Sequence, residues 1–189
     1  MEKSTLVSTK KRKAQELFDK LERNRITQCK ALAHLPIERW DKNPPQGGWS
    51  ATQVVQHLYL AEYGSWRYVQ KQVSQGQQLE QASLQSHWNS LKLNLFLASP
   101  LKFKAPEKVS TAAMPSEQSA SEAWASWENL RAQIKREMSD FKDEHFAVLL
   151  YRHPRAGALT LAAMLRFFQV HQQRHFKQIK RTLSEVISP

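Results

Sequence analysis

Two histidines, His171 and His175, stand four residues apart near the end of the chain, in a stretch whose apolar residues recur at Leu161, Met164, Phe168 and Ile179. On a helix that spacing puts both rings on the apolar face, one turn apart. There they can aim at a single ion, as helical histidine pairs do when they hold zinc and related metals. Burying an imidazole without a partner costs about 1–3 kcal/mol, so two in succession need a reason. The bland reason is a pair of core histidines satisfied by backbone carbonyls. Seven histidines in 189 residues give this spacing by chance often enough that the pair leaves both readings open. A bundle metal site needs a further ligand from a facing helix. His57, on the flank of an earlier apolar stripe, is the best-placed candidate, although alone it reads first as a satisfied core residue.

The elements that must position these rings are helical. Five glycines in 189 residues and abundant Leu, Ala, Gln, Lys and Glu point to an all-α chain, and no alternating run is long enough to argue for a sheet. A first helix is predicted from about Ser4 to Leu35, with Ala14, Leu17, Phe18, Leu21, Cys29 and Leu32 on one side. Asn24 and Arg25 interrupt that stripe, and Pro36 with the segment Asn43-Pro44-Pro45-Gln46-Gly47-Gly48 breaks the chain. Ser50 and Gln53 form a capping box for the second helix, with Trp49 placed to staple onto Val54. Its stripe of Val54, Leu58, Ala61, Val69 and Val73 runs towards Gly76. A short helix is expected over Leu84 to Leu97, followed by an irregular path set by Ser99-Pro100, Ala105-Pro106 and Met114-Pro115. A third helix spans about Ser119 to Phe141 on Ala123, Trp127, Leu130, Ile134, Met138 and Phe141. After a break at His153-Pro154 and Gly157, Thr160 caps a fourth helix that runs to about Val186. A connection of about 40 residues between the second and third helices makes sense if those two run parallel, because the chain must then travel back along the bundle. The expected fold is a four-helix bundle with one long crossover, a single domain over residues 1–189 with a basic flank at 1–13.

Several runs carry a family resemblance. Gly48-Trp49-Ser50 followed by His57-Leu58 resembles the opening of the second helix in the DinB/YfiT-like superfamily. His153-Pro154-x-x-Gly157-x-Leu159-Thr160, then Phe168-x-x-His171-x-x-x-His175 and Gln178-Ile179-x-Arg181, resembles its last helix, and Pro100 to Pro106 is similar to a segment of its members. The resemblance implies an up-down-down-up bundle. It also implies a divalent metal, nickel or zinc first and iron or manganese next, held by His57, His171 and His175. Members with known chemistry include thiol-cofactor-dependent transferases and isomerases. The expected activity is therefore a metal-dependent hydrolase or thiol transferase acting on a small-molecule substrate or low-molecular-weight thiol, with a non-catalytic metal-binding bundle as the alternative. Three neutral nitrogens leave a coordination position for water or substrate.

Other residues read more plainly. Glu62, five residues after His57, is expected to be a solvated or capping carboxylate rather than a general base. Arg174 and Arg181 read as an exposed basic helix end with anion holding as the sharper alternative, and His153 as a structural loop residue. His34, His87 and His145 have no partner spacing. Cys29 reads as a small core residue, and one or both of Trp124 and Trp127 should pack inside. A lone cysteine argues for a reducing cytoplasm. Met1 to Lys13 lacks the apolar block of a secretion signal, and no apolar run is long enough for a membrane span. The net charge of +11 raises nucleic acid as a partner. The excess divides, however, into +5 over residues 1–30 and +6 over residues 151–189, with the remaining 120 residues neutral. In the expected bundle the two patches fall near opposite ends, which argues against a single nucleic-acid groove. Homodimerisation is left open.

Overall fold

Side-chain caps set where three of the long helices begin. The computed structural model describes residues 2–75, 79–98, 114–115 and 118–186. Helix α1 is Glu2–Leu32, α2 Ala51–Ser74, α3 Leu84–Ala98, α4 Ala120–Asp140 and α5 Leu161–Glu185. The capping box at Ser50 and Gln53 is formed in full, and Ser119 with Glu122 makes a second one at the start of α4. The Thr160 hydroxyl accepts the Ala163 N–H and opens α5. Ahead of Ser50, Gly47 and Gly48 take φ of 81° and 115°, a region that favours glycine. The Asn43 side-chain amide donates to the Gly48 carbonyl at 2.7 Å and pins that turn.

The chain is mostly helical, so the expected all-α class broadly fits, with one small sheet added to it. Strands β1, Leu149–His153, and β2, Gly157–Thr160, form an antiparallel hairpin where an irregular break was expected. The Leu149 N–H donates to the Glu80 carbonyl at 2.8 Å and the Ala82 N–H to the Ala147 carbonyl at 3.3 Å, so the stretch after α2 lies along the hairpin. The strands are too short, and their burial too irregular, to show an alternating pattern. The first helix stops at Leu32 rather than Leu35, because a single tight turn, with Leu35 N–H on the Leu32 carbonyl, leads into Pro36. Of the crossover breakers, Met114-Pro115 is described, with Met114 buried and the Pro115 carbonyl accepting from the Gln56 amide at 2.9 Å. Ser99-Pro100 and Ala105-Pro106 lie outside the described residues, as does Gly76.

Helix α2 packs on α4 and α5, α1 on α5, and α3 on α5 and β2. The buried apolar side chains fall into two clusters. One holds Phe18, Leu21, Trp66, Val69, Leu130, Ile134, Met164 and Phe168, and the other Leu32, Val54, Leu58, Ala123, Trp127, Phe176 and Ile179. Trp127 is fully buried and Trp124 packs partly buried against the same cluster. Along α2 and α5 the boundary between the clusters passes through the stretches that contain Glu62 and His171. Polar side chains fill that boundary.

Candidate metal centre

His57 sits in the second turn of α2, where the Ser50 cap fixes the helix phase and turns the ring inward. His171 and His175 face it from one stripe of α5. The three Nε2 atoms converge: His57 to His171 is 3.2 Å and His171 to His175 is 3.1 Å. All three side chains are buried, and one ligand atom from each lies within 4.8 Å of the other two. Among the described residues this is the only group of three or more His, Cys, Asp or Glu with such convergence.

Electrostatics hold the two α5 rings neutral. Burial, then the charges that His175 and His57 would carry, holds His171 well below the usual imidazole range. Burial and His57 push His175 down to about 3. Gln178 Oε1 lies 2.8 Å from His175 Nδ1. A carbonyl oxygen only accepts, so Nδ1 carries the proton and the Nε2 lone pair points at the other two rings. His171 Nε2 has at most one proton and two imidazole neighbours at hydrogen-bond distance. In neutral rings at least one contact is then badly served. A cation removes the conflict, because every Nε2 becomes a donor of its lone pair. The spacing suits it: ligands about 2.0–2.1 Å from one ion lie about 2.8–3.0 Å apart in octahedral and about 3.3–3.4 Å apart in tetrahedral geometry, and the observed 3.1 and 3.2 Å fall between. His171 Nδ1 is buried without a hydrogen-bond partner among the described residues, so Gln178 supplies the one outer contact that fixes a ring of this pair.

Rings wall the cluster. Trp49 packs on His57 with centroids 4.9 Å apart, and Phe167 stacks on His171 at 5.3 Å. Trp49 therefore reaches the histidine as well as the Val54 cluster it was expected to staple. His153, at the end of β1, packs its ring edge-on against Phe167 at 4.8 Å. Its Nδ1 accepts the backbone N–H groups of Arg155 and Ala156, each at 3.2 Å. Burial and the charge of Arg155 push it down to about 4. It organises the hairpin turn, as its structural reading expected. Arg174 is half-buried between the two α5 histidines, and its charge lowers both of them, so the plain exposed-end reading fails for it. Arg181 is exposed and ion-paired to Glu185. His34 and His87 are exposed, His145 is half-buried against Phe141, and none joins the cluster. Cys29 is half-buried, and burial pushes its thiol up to about 11, which suits an inert core residue.

Glu62 is neither solvated nor a cap. It is fully buried, and its two oxygens take the Arg131 guanidinium in a fork, at 2.5 Å from Nε and 2.6 Å from Nη2. Oε2 also accepts the Trp127 indole N–H at 2.8 Å. Arg131, itself buried, reaches Gln172 Oε1 at 3.1 Å and Glu22 Oε2 at 3.3 Å. This network joins α1, α2, α4 and α5, with Glu62 five residues beyond His57 on α2 and Gln172 between His171 and His175 on α5. Its signal in the sequence was thin: Arg131 lies 69 residues from Glu62, and neither type is common inside.

A family model of the DinB superfamily matches residues 20–179. No curated protein and no solved structure gives a significant match to the chain. The chain belongs to the DinB superfamily.

Proposed function

We propose that this DinB-superfamily chain binds one divalent metal ion, nickel or zinc, through the Nε2 atoms of His57, His171 and His175, and uses it in hydrolysis or in transfer to a low-molecular-weight thiol. The observation that carries this reading is the convergence of three buried Nε2 atoms, with neighbours 3.1 and 3.2 Å apart. An ion so held supplies Lewis acidity, lowering the pKa of a bound water towards neutrality or stabilising a bound thiolate. The chain's own residues do the rest. His171 and His175 present lone pairs because burial keeps protons off them, and His57 faces them from α2. Gln178 orients His175 through its Nδ1–H. Trp49 and Phe167 shield the rings from water, and the positive charge of Arg174 favours an anionic substrate group.

The same proposal reads α1, α2, α4 and α5 as an up-down-down-up bundle within one domain over residues 1–189. What supports it is the order of cross-helix contacts. Ascending positions 62, 66 and 70 of α2 meet ascending positions 127 to 137 of α4. On α1, by contrast, Asp19 and Glu22 meet Lys135 and Arg131 in descending order. No helix among the described residues is long and apolar enough to cross a membrane. With one cysteine in the chain, a cytoplasmic setting fits this chemistry.

Elemental analysis of tag-free protein tests the reading. About one equivalent of nickel or zinc is expected, lost in His57→Ala, His171→Ala and His175→Ala. Metal-free wild type that takes up neither ion, or unchanged content in His57→Ala, refutes it. A loaded protein that exchanges neither water nor thiol at the ion would mark the site as structural.

A further inference from the structure

Helix α3 is turned inside out. Its inward face holds Ser86, Ser90 and Leu93, all buried. Its outward face carries Leu84, Trp88, Leu91 and Leu95, which are 83%, 59%, 49% and 64% exposed. An isolated exposed leucine needs no explanation, but four large apolar side chains in one stripe on a 15-residue helix do. We propose that this stripe is the contact face of a symmetric dimer, in which α3 pairs antiparallel with α3 of a second copy.

Three features favour a second copy as the occupant. The steps between the four residues are four, three and four, the spacing of a knobs-into-holes seam. That series also reads the same from either end. An antiparallel pair therefore matches Leu84 with Leu95 and Trp88 with Leu91 in both halves of the contact, as a two-fold interface demands. The area is adequate too. The exposed parts of the four side chains come to roughly 500 Å² per copy, so pairing removes about 1,000 Å², the lower bound for a specific interface before the flanks are counted. Charge argues the same way. Lys92 is the one Asp, Glu, Lys or Arg in α3, and Gln85 and Asn94 flank the seam, so two copies meet without a row of like charges. A helix built to lie on a lipid surface carries a lysine- and arginine-rich face, which α3 lacks.

Sedimentation equilibrium of the full chain from about 1 to 200 µM tests the proposal. A species of twice the 21.9 kDa chain mass is expected in the wild type. Trp88→Glu and, separately, Leu91→Glu are expected to weaken the dimer at least about 100-fold, because each places two charges in the centre of the seam. Both positions face outward, so the circular dichroism spectra of the variants should match the wild type, while any loss in melting temperature should track the lost dimer. A Lys92→Ala variant, changed at the flank only, should still dimerise. A wild type that stays monomeric throughout overturns the proposal. So does a dimer that survives both glutamates, or a monomer that instead sediments with vesicles of phosphatidylcholine and phosphatidylglycerol.

Discussion

Replacing Glu62 by alanine should cost more than any surface change in this chain. The substitution leaves the Arg131 guanidinium, 1% exposed, without the carboxylate that takes two of its N–H groups. Breaking a buried pair from one side costs about 3–5 kcal/mol. Glu22 and Gln172 still reach Arg131 at 3.3 and 3.1 Å, which puts the charge penalty near the lower end. The indole N–H of Trp127 also loses its acceptor, adding about 1 kcal/mol. A loss of about 4 kcal/mol follows, or roughly 8–16 °C in melting temperature at this chain length. Denaturant melts in excess chelator measure it without the added stability that metal binding would give. The double variant Glu62→Ala with Arg131→Met removes both charges and should recover most of the loss, giving a coupling of at least about 2 kcal/mol. A single-variant loss under about 1 kcal/mol, or a double variant as unstable as the sum of its parts, refutes the reasoning.

Gln178→Leu removes the acceptor of His175 Nδ1–H and should weaken metal affinity about 10- to 100-fold with the fold intact, read by competition against a chromogenic chelator; unchanged affinity would show that the ring needs no such support. His153 titrates in the folded protein near 4, below the ordinary 6.5, so the folded state holds fewer protons between those values. Its contribution to stability is therefore complete above about pH 6.5 and is lost as pH falls towards 4, because protonated Nδ1 can no longer accept from Arg155 and Ala156. An NMR titration of its ring with a midpoint at or above 6.5 would contradict this. Ser50→Ala deletes one side of the capping box that starts α2 and should cost about 1 kcal/mol, measured by denaturant melts.

Local chemistry made the helix starts legible. Ser50 with Gln53 declares its cap in four consecutive residues, and the apolar stripe of α4 repeats at helical steps, so neither needs tertiary context. The histidine pair was legible for the same reason, since four residues on a helix mean one face. His57 came from the family resemblance and from its place beside a stripe; only the fold brings it within 3.2 Å of His171. The hairpin failed to register because nine strand residues around Pro154 and Arg155 carry no period. In α3 the periodicity was present, but period alone does not say which face a helix buries.

The polar boundary shows why the missed residues belong together. A carboxylate in an apolar core is a liability unless a cation meets it, so Glu62 and Arg131 make sense only as a pair, and Arg25 is likewise buried against Glu22. Read singly, Arg25 looked like a gap in the stripe of α1. In the fold it sits at the level where Glu22, Glu62, Arg131 and Gln172 are joined, between the two apolar clusters. Sliding α1, α2 or α4 by a turn, about 5.4 Å, would strand a charge among leucines, and sliding α5 would take the Gln172 side-chain carbonyl from buried Arg131. The network therefore fixes the register of α2 against α5. That register is what brings His57 level with His171 and His175. On this argument Glu62 acts on the metal centre only through helix position. The Glu62→Ala and Arg131→Met double variant should then recover most of its stability yet bind metal more weakly, and equal affinity in that variant would sever the link.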